Sequence, residues 1–392
     1  MSRKFTILGE MGSGKTCYLV GMYVEMTCGI ENYSISMPND AEAKRLARFY
    51  RKLKDPKSGA DRFPEASQES ATYQFILNDG THRIMVFDWI DYPGEWTDVA
   101  VRPEAGNKLY EQYQQVERSI NESSALFICM DGENLKGKDV NKKIRKVKMN
   151  CALHISNYIT RLFGELNQRK QKLPPIGIIV TKWDLCRDTT DEKQLKEIVQ
   201  GVFQPLFNAT DTVISVIPVS IGDTIMDNDC KGEFDPINVE LPILYGIRYA
   251  LEDAIKEDEA RISQNNSDCS RTVSDKETYI SGKRGYIRSK EDDIDRWDTE
   301  KNKEIDCFIT DWDYVNDRRR WIENAKGYIE DARSEIAIAE SAIKSVRAER
   351  DRKNNDINAE ISQKRNRINT IKRALSGITL AFYDGIWHEG IK

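Results

Sequence analysis

Apolar and polar residues follow two different patterns along the chain, and the change falls near residue 257. Before it, short and almost unbroken apolar runs recur between longer stretches of helical spacing: Phe5–Leu8, Ala125–Met130, Ile176–Val180 and Val213–Val219. Unbroken runs of this length are typical of strands buried on both faces of a parallel sheet. The pattern therefore predicts an α/β domain over residues 1–256, with a mostly parallel sheet and helices on both faces.

Two strands are predicted to form an antiparallel hairpin. Residues 71–77 alternate between apolar and polar side chains, Asn78-Asp79-Gly80 is a strong turn, and His82–Ile90 forms the returning strand. The helices predicted around the sheet cover 41–54, 106–120, 140–168, 191–207 and 241–255, and the first of these is strongly basic.

The second half carries a heptad pattern. Ile322, Ile329, Ile336 and Ile343 lie seven apart, with small residues between them, and the pattern resumes in shifted phase from Ile357 to Ile378. We expect residues 311–392 to form a helical coiled-coil hairpin with an apolar tail and a turn near Asn354-Asn355-Asp356, because the phase break would interrupt one continuous seam. The alternatives are one long helix that dimerises, or an amphipathic pair lying against the first domain. Residues 257–310 are charged and poor in core formers, which predicts a linker or a loosely packed region.

Composition narrows the class of protein. The 392 residues include 59 basic and 64 acidic side chains, a net charge of −5 that gives no reason to expect nucleic acid or an anionic membrane as the main partner. The eight cysteines form no Cys-x-x-Cys pair and are expected to be free thiols. No apolar run approaches the length of a membrane span, and the first strand begins almost at once. We therefore expect a cytoplasmic protein without a membrane span.

A phosphate-binding loop follows the first strand. Gly9-Glu10-Met11-Gly12-Ser13-Gly14-Lys15-Thr16 has the glycine spacing that turns successive backbone N–H groups towards a polyphosphate. Lys15 can reach the β- and γ-phosphates, and the Thr16 hydroxyl can bind Mg²⁺. The following helix, beginning near Cys17, adds its dipole. The residues expected to bind nucleotide here are Gly9, Gly12, Ser13, Gly14, Lys15, Thr16 and Cys17.

Three further segments follow strands in a fixed order: Asp91-x-Pro93-Gly94, Thr181-Lys182-x-Asp184 and Ser220-Ile221-Gly222. With the phosphate loop, they resemble the signature set of the P-loop GTPases of the translation-factor and Ras-like (TRAFAC) class. The resemblance implies that Asp91 holds Mg²⁺ and that the Gly94 N–H senses the γ-phosphate of GTP.

The Thr181-Lys182-x-Asp184 segment has a chemical reason to prefer guanine. Guanine presents two adjacent N–H donors that one carboxylate can accept, and Asp184 is placed to do so. Lys182 would lay its stem over the base, and the backbone at Ser220-Ile221 would meet the guanine O6. Thr181 stands where the class has an Asn, and we expect this change to remove an amide that ties neighbouring loops.

Finer features narrow the resemblance. Gly-Lys-Thr-x-Tyr-Leu at 14–19, Phe63-Pro64-Glu65-Ala66-Ser67 and Asp-x-Pro-Gly-Glu at 91–95 are similar to the bacterial double-GTPase families, which are encoded beside a second GTPase in predicted defence operons. This resemblance implies that Ser67 contacts Mg²⁺ and the γ-phosphate, with Ser70 and Thr72 as alternatives. It also implies an anti-phage or conflict system and a protein partner, which the helical hairpin would reach.

Hydrolysis is expected to be slow. The resemblance implies a catalytic set of Lys15, Gly94 and Glu95, in which Glu95 replaces the water-orienting Gln that is usual in the class. An arginine would stabilise the charge on the transferred phosphoryl group, supplied in cis by Arg62 or Arg102, or in trans by a partner. Two functions remain open: a slow GTP-hydrolysing switch, and a GTP-binding scaffold that works through its coiled coil with negligible hydrolysis.

Overall fold

The apolar runs of the first half lie at the centre of one mixed sheet. The computed structural model describes residues 2–30, 32–65, 70–93, 108–149, 174–207, 213–223, 225–306, 311–376 and 380–389. The strands in these ranges are β1 (Arg3–Gly9), β2 (Tyr33–Ser36), β3 (Ala71–Asp79), β4 (His82–Asp91), β5 (Ala125–Asp131), β6 (Ile176–Thr181), β7 (Ile214–Pro218), β8 (Leu380–Tyr383) and β9 (Ile386–Glu389). They pair in the order β2-β3-β4-β1-β5-β6-β7-β8-β9.

Helices connect most of these strands. They are α1 (Lys15–Cys28), α2 (Asp40–Lys54), α3 (Lys108–Asn121), α4 (Val140–Val147), α5 (Glu192–Val202), α6 (Gln204–Phe207), α7 (Asp227–Cys230), α8 (Leu241–Ile305) and α9 (Trp312–Leu375). A 3₁₀ segment follows α2 at Pro56–Arg62. The helix predicted over 140–168 is described only as far as α4 and the residues just after it, and the rest of that prediction lies outside the described residues.

The five central strands are parallel, as the apolar runs predict. β1 pairs with β4 and β5, and β5, β6 and β7 follow in parallel. Their carboxyl ends therefore lie at one edge of the sheet, where Gly9, Asp91, Asp131 and Thr181 end their strands. In open α/β sheets this is the edge at which ligands bind.

Both faces of the sheet are covered by apolar packing. On one face the Trp89 ring stacks on Phe127 with centroids 5.2 Å apart, and Phe5 lies 5.2 Å from Phe87. Another cluster packs Ile128 and Ile178 against Ile198 of α5. The core thus keeps the strand ends in register while their polar residues lie at the edge.

The chain segment expected to be an apolar tail is part of the sheet. β8 pairs antiparallel with β7, with Ile214 opposite Phe382, and β9 completes a hairpin. Phe382 and Trp387 pack on Phe207, with centroids 4.9 and 5.5 Å away. The first compact unit accordingly comprises Met1–Asp253 together with Arg365–Lys392, instead of 1–256 alone.

The second unit, Ala254–Lys364, is built from the two long helices α8 and α9. The prediction of a linker over 257–310 is wrong, since α8 continues without a break to Ile305. The turn predicted at 354–356 is also wrong, because those residues lie inside α9. The heptad seam of α9 packs instead on α8, where Val273 and Ile280 contact Ala339 and Ile343. Val273, Ile280, Ile287 and Ile294 are themselves seven apart, a signal that the dense charge around them obscures.

The two helices run antiparallel. Their cross-helix polar contacts join residues that are 89 apart at Asn265–Asn354, 56 apart at Arg284–Glu340 and 18 apart at Glu300–Arg318. The coiled-coil hairpin is therefore confirmed, but its two arms are α8 and α9.

None of the described helices carries an apolar stretch long enough for a bilayer span. The cysteines that the structure describes are all free thiols.

Candidate nucleotide-binding site

The phosphate loop turns sharply between β1 and α1. Gly12 and Gly14 adopt φ of 78° and 88°, in the left-handed region that favours glycine. The Ser13 hydroxyl and backbone N–H both bond the Glu10 carbonyl, at 2.9 and 3.2 Å. Gly9 permits a close approach, since a Cβ there would lie 2.7 Å from the Cβ of Cys129. These bonds fix the loop without using the N–H groups at the start of α1.

Lys15 is held on the loop itself. Its Nζ donates to the carbonyls of Gly9 and Glu10 at 2.6 and 2.7 Å, and the residue is 8% exposed. The ammonium group is thus already positioned at the loop, where a bound anion would compensate its charge.

Thr181 ties the base-side loop to the phosphate loop. Its Oγ1 lies 2.6 Å from the carbonyl oxygen of Ser13 and 3.2 Å from that of Met130. The amide expected to be lost at this position is absent, but the Thr181 hydroxyl still links the neighbouring loops. A hydroxyl replaces the amide because the loops are close: a Cβ on Gly14 would lie 3.4 Å from the Cβ of Thr181.

Asp184 has one satisfied and one unsatisfied carboxylate oxygen. The Ser220 hydroxyl donates to Oδ1 at 2.6 Å, and Ser220 in turn accepts the Gly222 N–H at 3.1 Å. Oδ2 is buried with no hydrogen-bond partner among the described residues. Burial raises the pKa of Asp184, and the Ser220 hydrogen bond opposes that rise. A carboxylate in this state can accept the donor edge of guanine.

Lys182 forms an ion pair that the sequence analysis missed. Its backbone is left-handed, with φ of 49°, and its Nζ lies 2.7 Å from Oδ2 of Asp131 and 3.7 Å from Oε2 of Glu133. Asp131 ends the apolar strand β5, just as Asp91 ends β4. An acidic residue directly after a buried strand was therefore an available signal for both.

Asp91 fits a metal site. It is 4% exposed, and its Oδ1 is buried without a hydrogen-bond partner among the described residues. Burial raises the pKa of Asp91 to about 6, against the opposing charges of Lys15 and Arg45. In the described part of the chain no three His, Cys, Asp or Glu residues cluster to hold a metal ion. Mg²⁺ commonly takes only one or two protein ligands and completes its shell with phosphate and water oxygens.

Several expected switch residues lie outside the described residues: Ser67, Gly94, Glu95 and Arg102. Of the alternatives to Ser67, Thr72 is an exposed residue of β3, and Ser70 is half-buried just before that strand.

Arg62 has a structural role. It is fully buried, and its guanidinium donates to main-chain carbonyls of Leu53, Cys230 and Gly232, including Nε to Leu53 at 2.6 Å and Nη1 to Gly232 at 2.6 Å. The expectation that Arg62 supplies a catalytic arginine is therefore wrong for this conformation, because its donors already bond the main chain.

A cavity of about 480 Å³ unites the expected segments. Of the residues assigned to nucleotide binding, its walls include Gly12, Gly14, Lys15, Thr16, Cys17, Thr181, Lys182, Asp184, Ser220 and Ile221, whereas Gly9 and Ser13 are not among them. Burial raises the pKa of the Cys17 thiol to about 12, which keeps it neutral. Phe63, Pro64 and Tyr92 also line the cavity, although no binding role was assigned to them. Its volume is within the usual range for a small-molecule or cofactor site.

Comparison with solved structures gives only distant similarity. Two chains are described as an oligomerised bacterial dynamin pair that provides a mechanism for the long-range sensing and tethering of membranes. Each is 11% identical to this chain over 95% of its length, covering 69% and 70% of theirs, with TM-scores of 0.27 and 0.25. Similarity at that level carries no argument about this chain. No curated protein matches its sequence.

The match to a protein family covers the whole region of the nucleotide-binding site and therefore assigns the family. The family described as Double-GTPase 2 matches residues 5–231, more than half of the chain, from β1 to the end of α7. All four sequence segments that meet at the cavity lie inside that match. The chain belongs to the Double-GTPase 2 family and is a GTPase.

Proposed function

We propose that this GTPase is a Mg²⁺-dependent switch that hydrolyses GTP slowly alone and faster when a protein partner completes its site. The observation that carries the proposal is the single cavity that joins the phosphate loop to the Thr181–Asp184 loop. Two buried carboxylate oxygens, on Asp91 and Asp184, have no hydrogen-bond partner among the described residues and support it further. Unpaired buried acceptors are costly, so each favours a ligand that supplies the missing contact.

The nucleotide roles follow from the geometry. Backbone N–H groups of the loop from Gly12 to Thr16 would bind the phosphates, with Lys15 moving from the loop carbonyls to the β- and γ-phosphates. The Asp184 carboxylate would accept the two guanine N–H donors, one of them at Oδ2, which has no partner among the described residues. Adenine lacks that pair of donors, which favours guanine.

The metal would be held by the Thr16 hydroxyl and, through water, by Asp91, with Ser67 as the third expected residue. When bound, Mg²⁺ neutralises charge that develops on the phosphates. The residues of the chain orient the nucleotide and shield it from water. An ionised Asp91 beside Lys15 is more easily kept once a cation is near, because burial alone favours its protonated form.

The catalytic arginine would come from Arg102 or from a partner. Arg62 is committed to main-chain carbonyls, so the remaining candidates are Arg102 and an arginine supplied in trans. An arginine in trans is worth roughly 10³–10⁵ in rate in well-studied GTPases. Glu95 at the position of the usual Gln favours slow intrinsic turnover, because a second carboxylate adds negative charge to an anionic site.

The helical unit is the proposed contact for the partner, which would be a second GTPase or an effector in a bacterial conflict system. Its described surface exposes Trp312, Trp321 and Tyr328, and large aromatic residues are enriched at protein interfaces. The same exposed aromatic residues also favour the second candidate function, a GTP-binding scaffold with negligible hydrolysis.

Single-turnover hydrolysis of GTP and ATP, with and without the neighbouring gene product, tests the proposal. We expect GTP to be bound in strong preference to ATP, hydrolysed slowly, and hydrolysed faster with the partner. The Lys15→Ala variant is the control and should keep the circular dichroism spectrum while losing nucleotide binding. Equal affinity for ATP and GTP would reject the assignment of guanine specificity. Hydrolysis that stays negligible with the partner would instead favour the GTP-binding scaffold.

A further inference from the structure

The carboxylate of Asp131 makes two contacts that fix its orientation. Its Oδ1 accepts the backbone N–H of Glu133 at 2.9 Å, and its Oδ2 accepts Nζ of Lys182 at 2.7 Å. The side chains of Asp131 and Lys182 are 18% and 26% exposed, so the pair is partly shielded from water. The bond at Oδ1 therefore fixes the orientation of the Asp131 carboxylate, and Oδ2 holds the ammonium group of Lys182.

The backbone beside this pair is equally specific. Gly132 lies so close to the Thr181–Lys182 backbone that a Cβ would be 2.4 Å from the Thr181 carbonyl oxygen and 2.8 Å from that of Lys182. Lys182 itself adopts a left-handed conformation that non-glycine residues rarely use. Two features thus join the end of β5 to the Thr181–Asp184 loop. Gly132 has no side chain to keep the two backbones apart, and the Asp131 carboxylate pairs with Lys182.

Lys182 lines the cavity, whereas Asp131 is not among its lining residues. Asp131 therefore holds the far end of the lysine side chain from outside the cavity. A free lysine has many rotamers, and fixing one of them before the ligand arrives lowers the entropic cost of binding.

We propose that Asp131 is a positioning residue for guanine: it holds Lys182 in the conformation in which the lysine stem covers the base. The inference rests on the proposed function of the Thr181–Asp184 loop and deepens it. Because Asp131 acts through Lys182, its loss should lower the affinity for ligands that carry a guanine base and leave the affinity for phosphate groups alone unchanged.

The Asp131→Asn variant tests this with little change in shape. Its amide oxygen can still accept the Glu133 N–H, which leaves the amide NH₂ facing Nζ of Lys182, so the ion pair is lost while the turn is kept. Calorimetric titration with Mg·GDP should show affinity falling about tenfold, the scale of a charge-assisted hydrogen bond. Titration with inorganic tripolyphosphate should change less than about twofold. Glu133→Gln is the matched control, since Glu133 is more exposed and 3.7 Å from the same Nζ, and it should bind GDP like the unmodified protein.

A double-mutant cycle separates positioning from a general structural effect. In a Lys182→Ala background, Asp131→Asn should cause no further loss of GDP affinity. A full loss in that background, equal losses for GDP and tripolyphosphate, or unchanged GDP affinity in the single variant would each overturn the role of Asp131. Those outcomes leave the proposed function standing if the unmodified protein still prefers GDP to ADP. Absence of that preference would overturn both.

Discussion

The hydroxyl of Thr181 donates a hydrogen bond of 2.6 Å to the backbone carbonyl of Ser13, joining the loop that faces the base to the loop that faces the phosphates. The two loops are 168 residues apart in the chain, and both are buried at this contact. A bound nucleotide that contacts both loops would therefore meet a preformed site.

Removal of this hydrogen bond should weaken nucleotide binding. Thr181→Val keeps the shape of the side chain and deletes the hydroxyl, so we expect Mg·GDP to dissociate roughly fivefold faster, in line with about 1 kcal/mol for one hydrogen bond. Stopped-flow release of a fluorescent GDP measures it. Thr278→Val, which removes a comparable hydroxyl-to-backbone bond on an exposed part of α8, is the control. Equal release rates for both variants would contradict the linking role.

Asp184→Asn should change base preference. The amide can donate to the C2 oxygen of xanthine, whereas it loses one of the acceptors that guanine needs. We expect competition titration to show xanthine nucleotides displacing guanine nucleotides as the preferred ligand, while Asp188→Asn, an exposed neighbour, keeps the original preference. A variant that still prefers GDP would show that Asp184 does not bind the base.

Guanine affinity should fall in mildly acidic solution. Burial and the nearby Asp223 raise the pKa of Asp184, while the Ser220 hydroxyl and Arg187 lower it. Protonation removes the charge that accepts the guanine donors, so affinity should be lost as the pH falls through this raised pKa. Ser220→Ala removes a group that lowers the pKa, and the loss should then begin at higher pH. Titrations of GDP from pH 7.5 to 4.5 test this, and a shift of the Ser220→Ala curve to lower pH would contradict it.

Asp91→Asn should stabilise the protein when Mg²⁺ and nucleotide are absent. Burial raises the pKa of Asp91 from 3.8 to about 6 despite Lys15 and Arg45, so above pH 6 the ionised group opposes folding by about 3 kcal/mol. This cost disappears as the pH falls through 6 towards 4, where the folded form keeps the proton. Thermal unfolding in chelator at pH 7.5 should show a higher Tm for the variant, and the difference should shrink at pH 5. A lower Tm for Asp91→Asn than for the unmodified protein at pH 7.5 would contradict the claim that the buried charge of Asp91 destabilises the fold.

The helical unit should be separable from nucleotide binding if it is removed at the correct boundaries. Deletion of 311–392 would also remove β8 and β9 from the sheet, so we expect that truncation to precipitate. Replacement of residues 262–357 by a short Gly-Ser loop keeps the Asp258–Lys364 ion pair and both strands. This variant should bind GDP within about twofold of the full chain and lose stimulation by the partner. Retained stimulation would place the partner contact elsewhere.

Much of the nucleotide domain follows from the sequence because its signals are local. The apolar runs predict β1, β5, β6 and β7, the turn at Asn78–Gly80 predicts the β3–β4 hairpin, and the glycine spacing from Gly9 to Gly14 predicts the phosphate loop. Each depends on residues a few positions apart, whose geometry the backbone restricts directly.

The tertiary structure decided the contacts between distant segments. The heptads of α9 specify an apolar seam but not its partner, and α8 provides that partner through Val273, Ile280 and Ile287 amid charged neighbours. The strand β8 is short and depends on its pairing with β7 and β9 and on the packing of Phe382 against Phe207. Arg62 and Asp131 acquired their roles in the same way: the partners of a charged side chain depend on which carbonyls, ammonium groups and carboxylates the completed fold brings within 3 Å, and no local pattern encodes those distances.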